Sequence, residues 1–136
     1  MTPAIVDSGV LYALFDRGDD WHDKSVAFFK SHPHDAVVPV TILGEVAYMV
    51  EAKLQGNAPR ALVEWLARGQ VQLEGLLPQD LRRMSLLMSR HPEIGLVDAS
   101  VAVIAERLST DTIATTDRRH FSAIKPIHVE RFTLVP

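Results

Sequence analysis

Four acidic residues of this chain carry the chemistry its sequence can support: Asp7, Glu45, Asp98 and Asp117. Each lies in or at the end of an apolar segment: AIVD at 4–7, TILGEV at 41–46, GLVDASVAVIA at 95–105 and IATTD at 113–117. Taken singly, each has an ordinary explanation as a turn, cap or solvated helix residue, and Asp98 as a charge favoured by a helix N-terminus. Brought together, four carboxylates repel one another, and a divalent cation is the usual remedy. Mg²⁺ and Mn²⁺ take carboxylate and water oxygens. An ion so held activates water and neutralises a scissile phosphate, so the acids point to hydrolysis of a phosphate-bearing substrate. No Ser-His-Asp or Cys-His pairing favours a covalent route. Ser8, Thr115 and Thr116 neighbour the acids and are candidates to orient a carboxylate, Ser8 serving equally well as a helix N-cap. Arg118, Arg119 and His120 follow Asp117 and are candidate phosphate contacts. The six histidines show no HExxH spacing and read as surface or packing residues.

The elements that must position these residues alternate strand and helix. AIVD starts the chain as a short buried strand, and residues 8–17 follow as a helix with Leu11, Leu14 and Phe15 at helical spacing. A helix over about 22–31 precedes the breaker His32-Pro33-His34, and AVVPV at 36–40 is the next strand, with Pro39 marking its end. Thr41 reads as the N-cap of a helix to about Gln55, with Ile42, Val46, Met49 and Val50 on one stripe. Pro59 and Pro78 each open a further helix, and the weak alternation of VQLEGL at 71–76 suggests a strand between them. Residues 96–108 form the clearest helix, TIATT at 112–116 a strand, and IHVERFTLV at 127–135 one or two more.

This order predicts an α/β three-layer sandwich around a mostly parallel five-stranded sheet. Asp7 and Asp117 then lie just past strand ends. Glu45 lies early in a helix entered directly from a strand, and Asp98 near the start of a helix leading back to one. All four fall at the carboxyl edge of the sheet, where open α/β folds bind ligands. Trp21, Phe28, Phe29, Tyr48 and Trp65 are expected mostly in the core.

Composition narrows the classes. The 136 residues are 47% hydrophobic and 23% charged, which fits one globular domain over residues 1–136. Without cysteine there are no disulfides and no thiolate chemistry, and a reducing cytoplasm is the expected setting. The first residues lack a signal-peptide pattern, and no run approaches a membrane span. A net charge of −3 offers no global attraction to nucleic acid, so a polyanion must be held locally. Lys53, Arg82, Arg83, Arg118 and Arg119 are the candidate cations around the cleft.

The segments IVDSGVLYALFD at 5–16, GEV at 44–46, GLVDASVAVIAERL at 95–108 and IATTDRRHF at 113–121 resemble PIN-domain nucleases, particularly VapC-type toxins of toxin–antitoxin pairs. The resemblance runs in order over essentially the whole chain. It implies that Asp7, Glu45, Asp98 and Asp117 bind the metal, with Asp117 the more water-mediated member and Ser8 and Thr115 in support. It further implies Mg²⁺ or Mn²⁺ as cofactor, RNA as substrate, a homodimer, and a cognate antitoxin protein that lays a basic segment over the acids. Gly9 departs from the larger residue common there. A non-catalytic interaction domain of the same fold is the alternative. A phosphoreceiver domain would need an acidic pair where Asp7-Ser8 stands and a mid-chain acceptor, yet no aspartate lies between Asp35 and Asp80. A haloacid-dehalogenase-like phosphatase would need an aspartate where Gly9 stands.

Overall fold

The computed structural model describes residues 2–136. The chain runs β1 (Ala4–Val6), α1 (Ser8–Phe15), α2 (His22–Ser31), β2 (Ala36–Pro39), α3 (Val40–Lys53), α4 (Ala58–Ala67), β3 (Gln72–Glu74), α5 (Pro78–Arg90), α6 (Leu96–Arg107), β4 (Thr112–Ala114), α7 (Arg118–Ala123) and β5 (Thr133–Val135). The strands form one five-stranded sheet in the order β3-β2-β1-β4-β5, and every pairing is parallel. Ala4 is in register with both Ala36 and Thr112, so β1 is the central strand. Its three residues, Ala-Ile-Val, are wholly buried, as a strand covered on both faces must be.

Right-handed crossovers then assign the layers. From β1 to β3 the chain steps one way across the sheet, and from β3 through β4 to β5 it steps back. Helices α1–α4 therefore cover one face and α5–α7 the other. Packing of α1 on α2 and α3, and of α6 on α5 and α7, follows this division. The reversal leaves a crevice at the carboxyl ends of β1 and β4, the switch point where such sheets bind ligands.

The core runs from β1 and β2 into α6, in which every residue from Ala99 to Glu106 is buried. The expected one-sided stripe of α6 is therefore a helix covered all round. That burial explains its one charged residue there: Glu106 receives a two-pronged contact from Arg83, with Nε at 2.9 Å and an Nη at 3.0 Å, and a backbone N–H from Ile127 at 2.9 Å. Beside it Arg107 pairs with Asp80 at 3.0 Å and reaches the Gly75 carbonyl. Arg83 is thus committed to the α5–α6 interface and is not a cation of the cleft.

Other boundaries moved. Helix α3 starts at Val40 on Pro39, so Thr41 is inside its first turn and its hydroxyl meets the Ser100 hydroxyl at 2.6 Å. Residues 127–131 form no strand, and β5 is only three residues long. The six-residue α7, absent from the sequence reading, fills the turn after Asp117. Among the described residues no helix is long and apolar enough to cross a membrane.

Candidate active site

Asp7 follows β1 directly and is the N-cap of α1. Its backbone N–H donates to the Ala114 carbonyl at 2.8 Å, carrying the β1–β4 ladder one residue beyond the strand. One carboxylate oxygen accepts the Ser8 backbone N–H at 2.8 Å, and the other accepts the Thr115 hydroxyl at 2.9 Å. Ser8 therefore meets the acid through its main chain and is the first helical residue, with Asp7 in the cap position. Thr115, wholly buried, links two acids: while donating to Asp7, its hydroxyl oxygen accepts the Asp117 backbone N–H at 2.9 Å.

The close approach of α1 to the β4–α7 turn depends on Gly9. A methyl group at Gly9 would run into the Thr116 hydroxyl and lie against its methyl. Thr116 lies where a Gly9 side chain would go. The departure at position 9 thus has a steric reason.

Burial and neighbouring charge act on two of the acids. Asp7 is 5% exposed, and its carboxyl is pushed up to about 6, first by burial, against the lowering effect of Ser8 and Thr115; the charges of Asp98 and Glu45 raise it further. The Asp98 carboxyl is also raised, chiefly by burial, with Asp117 and Glu45 adding to it and His120 opposing. The charges of Glu45, Asp98 and Asp117 therefore bear on the carboxyls of Asp7 and Asp98 at one edge, Glu45 being the exposed member.

His120 is the residue the sequence reading underrated. Its Nδ1 lies 3.0 Å from an Asp98 oxygen and 2.9 Å from an Asp117 oxygen. Ionised carboxylates only accept hydrogen bonds, so Nδ1 carries the proton and is shared between them. Helix α7 produces this, because Asp117 as its N-cap places residue 120 one turn away. Asp98, Asp117 and His120 offer donor atoms all within 4.8 Å of one another. The carboxylate oxygens suit a divalent cation such as Mn²⁺ or Mg²⁺, and the His120 imidazole, its Nδ1–H spent on them, holds them in place. The arginines that follow Asp117 part ways: Arg118 donates to the Pro136 carbonyl at 2.6 Å and reaches that of Leu134, whereas Arg119 is exposed.

Comparison with known proteins accords with this geometry. The family model described as PIN domain matches residues 4–125. Ribonuclease VapC26 of Mycobacterium tuberculosis is 32% identical over 134 residues, which are 97% of this chain and 99% of that protein. Among solved structures, VapC20 of the same organism, described as a sarcin-ricin loop cleaving toxin, superposes with a TM-score of 0.80 at 21% identity, covering 93% of this chain and 98% of its own. A toxin–antitoxin complex from Klebsiella pneumoniae superposes with a TM-score of 0.69 at 16% identity, covering 89% and 92%. At those two identities the likeness is one of fold.

Proposed function

Because this chain belongs to the PIN-domain family, we propose that it is a metal-dependent endoribonuclease and the toxin of a toxin–antitoxin pair. The observation that supports the reading is that the charges of Glu45, Asp98 and Asp117 bear on the carboxyls of Asp7 and Asp98 at the β1–β4 crevice, in a chain 32% identical to a ribonuclease over nearly all its length. In this reading Asp7, Glu45, Asp98 and Asp117 would hold a Mg²⁺ or Mn²⁺ ion, and the His120 Nδ1–H would brace the Asp98 and Asp117 carboxylates. A bound divalent cation supplies Lewis acidity, lowering the pKa of water and offsetting phosphate charge.

The chain's own residues do the rest. Thr115 and the Ser8 N–H fix both oxygens of Asp7, so a charged carboxylate stays aimed at the crevice without reorganising. His120 holds Asp98 and Asp117 side by side in the same way. Burial keeps the Asp7 carboxylate basic enough to take up a proton near pH 6, a useful property where water is to be deprotonated. Arg119, exposed two residues after Asp117, is a candidate for the phosphate backbone beside Lys53 and Arg82.

The same proposal extends to the protein's surroundings: residues 1–136 act as a single nuclease domain, as a homodimer, in the cytoplasm. A cognate antitoxin brings a basic segment to the acids; the Klebsiella neighbour was solved as a toxin–antitoxin complex. Incubation with total RNA, with Mn²⁺ or Mg²⁺ and with chelator, beside an Asp7→Asn variant, tests the reading. Metal-dependent cleavage by the wild type alone is expected. RNA left whole in both metals overturns the assignment, and equal cleavage by the two proteins removes Asp7 from the site.

A further inference from the structure

Helix α3 carries an aromatic ring into solvent one turn from Glu45. Tyr48 is 74% exposed, while Phe15, Phe28, Phe29 and Trp65 pack edge-on against one another at 5.0–5.9 Å. A single exposed tyrosine needs no explanation in itself. This one borders a groove of about 410 Å³ lined by Ser8, Gly44, Glu45, Tyr48 and Met49. Two of those five, Ser8 and Glu45, belong to the acidic edge, so the groove and the crevice are continuous. Gly44 leaves its floor open, since a Cβ there would touch nothing within 4 Å. Met49 supplies a soft, polarizable wall.

We propose, resting on the ribonuclease reading, that this groove between α1 and α3 receives an unpaired nucleobase of the RNA strand, stacked on Tyr48. The charges favour such an occupant. The groove side away from a bound cation offers phosphate no positive grip, so contacts that carry no charge hold a strand there, and base–aromatic stacking is a sequence-tolerant one. Farther along α3, Lys53 lies with its ammonium over the Tyr12 ring at 5.5 Å, and it offers a cation where the strand leaves the acids. Eight residues of helix separate it from Glu45, about 12 Å along the axis. The consequence is a requirement for single-stranded or looped RNA, because a base inside a duplex cannot present its face.

The test measures binding of a fluorescein-labelled, unstructured oligoadenylate RNA by anisotropy, with Ca²⁺ replacing Mn²⁺ to hold back cleavage. Tyr48→Ala is expected to weaken binding on the order of ten- to a hundredfold. Tyr48→Phe and Tyr48→Trp are expected to bind at least as well as the wild type, and all three to melt with it. The slope of log Kd against log salt should not change, since no phosphate contact is lost. Wild-type affinity in Tyr48→Ala, in a protein whose wild type cuts RNA, overturns the stacking site and leaves the ribonuclease reading intact. A wild type that cuts no RNA is the failure of that reading instead. Unchanged RNA affinity with a lost protein contact assigns the groove to a protein partner and also overturns the proposal.

Discussion

Replacing Asp7 by asparagine should make the metal-free protein more stable at neutral pH. The Asp7 carboxyl, ordinarily at 3.8, is held at about 6 in the folded chain, chiefly by burial. The folded state therefore binds this proton more tightly than the unfolded state does. The resulting contribution is fully present below about pH 4 and is lost as pH rises through 6. At 1.36 kcal/mol per pH unit the loss amounts to about 3 kcal/mol by pH 8, with roughly half of it gone at pH 5. Asparagine carries no charge at any pH, and its carbonyl can still accept the Ser8 N–H. Urea unfolding in chelator should thus place Asp7→Asn about 3 kcal/mol above the wild type at pH 8, equivalent to about 10 °C in melting temperature. The gap should halve at pH 5. Millimolar Mn²⁺ should stabilise the wild type by mass action and leave the variant behind, closing the gap from the other side. A variant no more stable than the wild type at pH 8 would refute this account of the buried acid. So would a gap that does not change between pH 5 and pH 8.

Two further outcomes test the scaffold. Gly9→Ala should cost about 1–3 kcal/mol by overpacking against Thr116, and most of that cost should vanish in a Thr116→Ala background; equal costs in denaturant titrations of both backgrounds would sink the contact. Arg83→Met should destabilise by about 3–5 kcal/mol, because Glu106 is left charged and buried beside the Ile127 N–H. A loss below about 1 kcal/mol would show the pair to be no better than a surface one.

Much of this architecture is legible in the sequence because the buried strands are so apolar that a charge within them stands out. Asp7 closes a run whose preceding three residues are fully buried, and Asp98 opens a helix covered on all sides. Strand–helix alternation then suffices to bring the acids to one edge, since parallel strands share one carboxyl end. What stayed hidden depends on side-chain direction and on neighbours distant in the chain. Tyr48 sits between buried Val46 and Val50, and only the path of α3 over the sheet decides that its ring faces water. His120 became a partner of Asp98 through α7, six residues whose Arg-Arg-His composition has no apolar stripe to announce a helix. Arg83 and Arg118 looked free because their acceptors, Glu106 and the carbonyls near Pro136, come from other elements. The reason for Gly9 likewise lies in Thr116, across the fold.

The hydrogen bond from Thr115 to Asp7 spans 108 residues of chain, and it crosses the pairing of the first strand with the fourth. Contacts of such separation form late, because a long loop must close before they give any return. During synthesis Asp7 waits, with its carboxylate unaligned, until residues 112–117 have emerged and β4 has docked on β1. A nascent chain therefore has the first acids without their alignment, so a cell translating this protein meets a competent nuclease only after the segment at 112–117 has emerged and docked.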